Sequence, residues 1–133
     1  MKQKKIAAFG EAEKGELHIP YFLQDLSQLV DHLGNPPHDS QGLHYAVQAL
    51  LYKQNLVFFR VEEEGFSAKD YFLGLKYLEN ADNTHIEALL MPGVGDKEII
   101  QATQAICKTH KSLLIIQEKD LYDYLTSQVR KYS

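Results

Sequence analysis

Leu56-Val57-Phe58-Phe59-Arg60-Val61, then helix-spaced Ala68, Tyr71, Phe72, Leu75 and Leu78, then Ile86-Glu87-Ala88-Leu89-Leu90-Met91: this order decides the fold. Neither strand-like run alternates apolar with polar residues. An unbroken β-prone run is the pattern of a strand buried on both faces, as in a parallel sheet. The helix between them carries its own start signals. Ser67 is placed to cap it, Asp70 sits three positions on as in a capping box, and Phe66 and Tyr71 are spaced as a hydrophobic staple. Toward the C-terminus the alternation repeats. A helix over Asp96–His110 buries Ile99, Thr103, Ile106 and Cys107, a strand spans Leu113–Gln117, and a last helix spans Lys119–Arg130. Strands and helices in strict alternation predict right-handed crossovers and helices on both sheet faces.

Toward the N-terminus the pattern changes. Ile6–Phe9 and Leu17–Leu23 are short β-type runs around a turn ending in Gly15, which predicts a hairpin. Asp25 then reads as a helix cap with Gln28 at the capping-box position. Leu26, Leu29, Val30 and Leu33 follow at helical spacing, and Gly34 stops that helix. Pro36 and Pro37 mark a loop, after which Leu43, Ala46, Val47, Leu50 and Leu51 define a second amphipathic helix. The expected fold class is α/β: a mainly parallel sheet with helices on both faces, plus an N-terminal β-hairpin. Residues 1–133 form one domain, with hairpin and short helix over 1–34 and the α/β core over 41–133.

Composition narrows the function classes. A chain of 133 residues, 44% apolar, supplies one core without metals or disulfide staples. Its formal charge of −4 disfavours non-specific nucleic-acid binding, which needs a basic face. The one dense basic cluster, Lys2, Lys4 and Lys5, reads as a solvated end. A single cysteine, Cys107, forms no intrachain disulfide. With no signal-peptide pattern at the start, this predicts a reducing, cytoplasmic setting. No apolar run is long enough to span a bilayer, so no membrane insertion is expected.

The most suggestive local feature is Met91-Pro92-Gly93-Val94-Gly95-Asp96, which joins a strand's carboxyl end to a helix N-terminus. That edge of an open α/β sheet is where ligands bind, and Gly93, Val94, Gly95 and Asp96 are the candidate anion site. The third glycine of a dinucleotide fingerprint is missing, no Gly-Lys-Ser/Thr follows, and Asp96 puts negative charge where a phosphate sits. A tight turn with Asp96 as cap is the preferred reading. His32, His38 and His44, with Asp39, match no zinc spacing and read as surface polar residues. Cys107 and His110 share one helix, but Cys107 lies toward the apolar face and reads as inert. Glu62, Glu63 and Glu64 read as a solvated strand end. No catalytic set, cofactor or metal site is predicted. Tyr45, Tyr52, Tyr122, Tyr124 and Tyr132 are the candidate interface residues, because tyrosine is enriched where proteins meet.

The order of these features resembles the central α/β domain of contractile tail sheath proteins of phage tails and related injection machines. The resemblance rests on a short helix Asp25–Gly34 and a helix containing Tyr45-Ala46-Val47. It continues in a strand ending Arg60-Val61, a helix with Gly74-Leu75, a strand running into Pro92-Gly93, and Ser112–Ile116. It covers most of residues 17–118, each motif being short and mostly apolar. The resemblance implies a phage-like structural protein, here shortened and lacking the strand-exchanging terminal arms. It implies self-association or docking on a protein partner, and no enzymatic activity. The alternative is a small ligand-binding or catalytic α/β protein using the Gly93–Asp96 turn.

Overall fold

Ile6-Ala7-Ala8-Phe9 runs through the middle of the sheet, and all four side chains are fully buried. The structure is a computed structural model that describes residues 3–80 and 84–131. The elements are β1 (Gln3–Gly10), β2 (Pro20–Leu23), α1 (Leu26–Leu33), α2 (Gly42–Leu51) and β3 (Leu56–Arg60). They continue with α3 (Ala68–Glu79), β4 (Thr84–Leu90), α4 (Lys97–His110), β5 (Leu113–Ile115) and α5 (Glu118–Lys131). The five-stranded sheet has the order β2-β3-β1-β4-β5. β1 is parallel to β3 and to β4, β4 is parallel to β5, and β2 is antiparallel to β3.

Side chains alternate across the sheet, so each strand feeds two cores. Ile6, Ala8, Leu56, Phe58, Ala88 and Leu90 pack with α1, α2 and α5. Ala7, Phe9, Val57, Phe59, Ile86 and Leu89 pack with α3 and α4. This is the α/β class expected from the unbroken apolar runs, with helices on both faces.

β1 and β2 run antiparallel, a hairpin-like start, but β3 lies between them and takes the hydrogen bonds of both. Central placement buries both faces of Ile6–Phe9, which a hairpin at the rim does not. β2 is also shorter than the Leu17–Leu23 run. Leu17 makes only an isolated bridge to Arg60, and His18 turns into the left-handed region at φ 68°.

Asp25 caps α1 by accepting from the Gln28 amide at 2.9 Å, and Gly34 ends that helix at φ 75°. The Gln28 side chain accepts from Gln24 N–H, one residue before the capping-box position. The start of α3 differs from expectation. The Ser67 hydroxyl turns back onto Glu63, accepting from its N–H and donating to its carbonyl, and makes no cap bond. The expected staple is not made either: Tyr71 is fully buried while Phe66 is 71% exposed. Phe72 also lies largely at the surface, and Gly74 takes the inward position against the Phe9 ring. β5 ends at Ile115 because the Gln117 carbonyl already accepts from Asp120 and Leu121, the first turn of α5. Among the described residues no helix is long and apolar enough to cross a membrane.

Candidate functional site at the carboxyl edge of the sheet

The chain leaves β1 for β3 on one side and then crosses to β4 on the other. In open α/β sheets the loops at such a reversal form the ligand crevice. Here those loops are Glu11 after β1, Glu62–Gly65 after β3, Met91–Asp96 after β4, and the N-terminus of α2.

Two glycines bring α2 onto the end of β1. A Cβ on Gly10 would lie 2.6 Å from Gly42 Cα and 2.7 Å from Glu64 Oε1, so neither backbone leaves room for a side chain. Glu64 sits in this junction. Its Oε2 accepts from Gln41 N–H at 2.7 Å, and its Oε1 accepts from Gly42 N–H at 2.9 Å and Glu11 N–H at 3.2 Å. Glu11 answers in kind, its Oε2 accepting from Glu64 N–H at 2.9 Å. Gln41, the residue at the cap position of α2, makes no side-chain cap bond. Glu64 therefore supplies from a distant loop the negative charge that a helix N-terminus favours. Burial raises its carboxyl above the ordinary range, against the pull of the three amides, and the Glu11 carboxylate adds to the rise.

A second pair lies beside it. His18 Nε2–H donates to Asp70 Oδ1 at 2.5 Å, and Asp70 Oδ2 accepts from Glu62 N–H at 2.9 Å. Burial by itself pushes the Asp70 carboxyl up. The Glu62 amide, the His18 ring and the Ser67 hydroxyl outweigh it and hold the group below its ordinary value. Asp70 is buried and His18 is part-exposed, so the carboxylate fixes a surface imidazole. No side-chain hydroxyl or thiol among the described residues hydrogen-bonds to His18. Tyr71 completes the edge from below. Its hydroxyl accepts from Gly65 N–H at 2.7 Å while its ring stacks on Phe9 at 5.3 Å. Burial pushes this phenol well above its ordinary range. Gly65, at φ 87°, lies against the Gly93 carbonyl, which a Cβ would approach to 2.5 Å.

The Gly93–Asp96 turn is closed by its own acid. Asp96 Oδ1 accepts from Glu98 N–H at 2.7 Å and Ile99 N–H at 3.3 Å, as a cap does. Val94 is buried, and Gly93 and Gly95 are exposed. The N-termini of α2 and α4 at this edge thus each hold a carboxylate from the chain itself.

The other sequence-predicted residues scatter. Tyr45 is buried and donates to the Ile116 carbonyl at 3.2 Å. Tyr124 is buried and donates to Glu87 Oε2 at 3.0 Å. Both are largely covered within the chain, and Tyr124 also lines the groove between β5 and α5. Tyr52 is half-buried, Tyr122 is 59% exposed, and Tyr132 lies outside the described residues. His38 faces solvent beside Asp39 at 3.4 Å, and His32 packs near the Tyr21 ring. Among the described residues no group of three His, Cys, Asp or Glu side chains is arranged to hold a metal. Burial raises the Cys107 thiol, and His110 Nδ1 accepts from Ile86 N–H at 3.4 Å.

Sequence reasoning missed Glu64, Glu11 and the His18–Asp70 pair. One signal was present: α2 begins at Gln41-Gly42, a poor cap, so its first amides need an acceptor from elsewhere. Comparison with protein-family models, curated proteins and solved structures found no match to this chain.

Proposed function

We propose that this chain is a non-enzymatic assembly domain of the contractile tail sheath type that works by protein–protein association. One observation carries the reading: large apolar side chains stand exposed along both rims of the sheet. Ile19, Phe22, Leu26 and Val30 stand in and around β2, and Leu113 stands in β5. Exposed apolar groups gathered at one place are the mark of an interaction surface. The carboxyl edge supports the same reading, since Glu64 and Asp96 already fill the positions where an anionic ligand is usually held. The motif order from Asp25 to Ile116 supplies the link to sheath domains.

Sedimentation velocity from low micromolar to near-millimolar protein tests the association, together with crosslinking in the source cell. A concentration-dependent increase in mass, or a crosslinked partner from a tube or baseplate, is expected. A strict monomer without a protein partner, purifying with a small molecule near Gly93, refutes the reading and restores the ligand-binding alternative.

A further inference from the structure

The two faces of the sheet are covered unequally. α1, α2 and α5 pack on one face, and α3 and α4 on the other. α4 packs against β4 and β5. α3 lies over β1 and β3, where Gly74 leaves room for the Phe9 and Phe59 rings. β2 is left bare on that side. Tyr21 and Leu23 join the core of the three-helix face, so Phe22 between them points to the two-helix face. Phe22 is 51% exposed there.

The flank of α3 beside this bare strand is apolar as well. Tyr77 meets the Phe59 ring edge-on at 5.8 Å and is still 42% exposed, and Leu73, one turn before it, is 40% exposed. Phe22 pairs in register with Val57, which shares its face of β3 with Phe59. Phe22, Leu73 and Tyr77 therefore border one strip between α3 and β2. At the carboxyl edge the His18–Asp70 bond ties the segment before β2 to α3. α4 gives the contrast: among the described residues its outer face carries no large exposed apolar side chain. Lysines surround the strip. Lys5 Nζ stands 5.0 Å from the Phe22 ring centroid, and Lys69 and Lys76 neighbour Leu73 on the helix surface. Among the described residues none of these three lysines forms an ion pair.

We propose that this strip receives one amphipathic helix of a partner protein, apolar on one face and flanked by glutamate or aspartate, as a third helix in the α3–α4 layer. The docking rests on the association function above and gives it a surface. A helix follows from the shape of the site. Packed helices lie about 8–10 Å apart, which sets a helix beside α3 over the bare face of β2. Apolar side chains at i, i+3 or i+4, and i+7 would then cover Leu73, Tyr77 and Phe22. Carboxylates follow from the charge of the rim, since Lys5, Lys69 and Lys76 are without partners of opposite sign among the described residues. The site is a recess between a helix and a sheet rim, which suits a helix better than a flat lipid surface.

The test uses the full chain in the source cell, with a photocrosslinking phenylalanine derivative in place of Leu73, of Gln104 on the outer face of α4, or of Leu113 in β5. Capture from position 73 well above position 104 is expected, and the captured peptide should be acidic with apolar residues at helical spacing. That peptide, synthesised with blocked ends, should gain helical circular dichroism on binding. It should also shift the amides around Phe22, Leu73 and Tyr77 of the isotope-labelled chain. Binding should weaken about fivefold in a Lys69→Gln, Lys76→Gln double variant, the size expected from losing two exposed ion pairs. It should weaken also in Leu73→Gln. All three positions are exposed, and the same spectra report whether each variant is folded. Equal capture at 73 and 104, capture of a second copy of this chain or of a membrane lipid at 73, a peptide that binds without becoming helical, or a double variant that binds like wild type overturns the proposal. Capture at position 113 alone removes the strip and leaves the association function standing. No capture at any position, in a chain that stays monomeric in sedimentation, removes both.

Discussion

Replacing Glu64 by alanine should destabilise the fold, whereas the same change at its neighbours Glu62 and Glu63 should not. Glu64 accepts from the amides of Gln41, Gly42 and Glu11 at 2.7, 2.9 and 3.2 Å. The first two are N-terminal amides of α2, and removing a cap acceptor costs about 0.5–2 kcal/mol. The third bond ties the loop after β1 to the loop after β3, and a lost hydrogen bond adds about 0.5–1.5 kcal/mol. Relief of a partly buried charge offsets some of this, so a net loss of about 2 kcal/mol is expected. Glu62 and Glu63 are exposed, and their alanine variants should stay within about 0.5 kcal/mol of wild type. Urea unfolding followed by circular dichroism reads the difference as a midpoint shift of about 1 M at a slope of about 2 kcal/mol/M. A loss below about 0.5 kcal/mol for Glu64→Ala, or an equal loss at Glu63, refutes the claim that this carboxylate caps α2. A pH arm adds a sign. The Glu64 carboxyl is raised above its ordinary 4.5, chiefly by burial, so the folded chain holds that proton more tightly than the unfolded chain. Its contribution to stability is then largest at or below 4.5 and falls as pH rises through the window above that value. A non-titrating Glu64→Gln variant should lag wild type most in acid and less at neutral pH.

Leu75 is buried in the core beneath α3, so Leu75→Ala should lose about 2–5 kcal/mol in urea unfolding. Asp96→Asn should be nearly neutral and Asp96→Ala should lose about 1 kcal/mol, both read from thermal midpoints, because asparagine caps about as well as aspartate. Asp70→Asn should lose about 1–3 kcal/mol, as its carboxylate bonds His18 and the Glu62 amide. Those bonds hold the Asp70 carboxyl below 3.8 in the folded chain despite burial, so the gap to wild type should be full above 3.8 and close as pH falls below it. A gap that instead widens in acid, in unfolding curves taken across pH, sinks that assignment.

What the sequence made legible follows the range of the interactions involved. Leu56–Val61 and Ile86–Met91 stood out as strands because nearly all of their side chains are buried, on both faces of the sheet, and that leaves runs with one polar residue each, Arg60 and Glu87. Ile6–Phe9 carries the same signature, yet Gly15 and the run at Leu17–Leu23 invited a local pairing. The partner of a strand is settled by competition for two-sided burial, and β3 won both neighbours. Asp96 was readable as a cap because its donors lie two and three residues on. Glu64 was not, because its donors lie 22, 23 and 53 residues away. Tyr45 misled for a related reason. α2 buries Gly42, Leu43, Tyr45, Ala46, Ala49 and Leu50, one face of the helix, and the tyrosine on that face reaches the Ile116 carbonyl, 71 residues away.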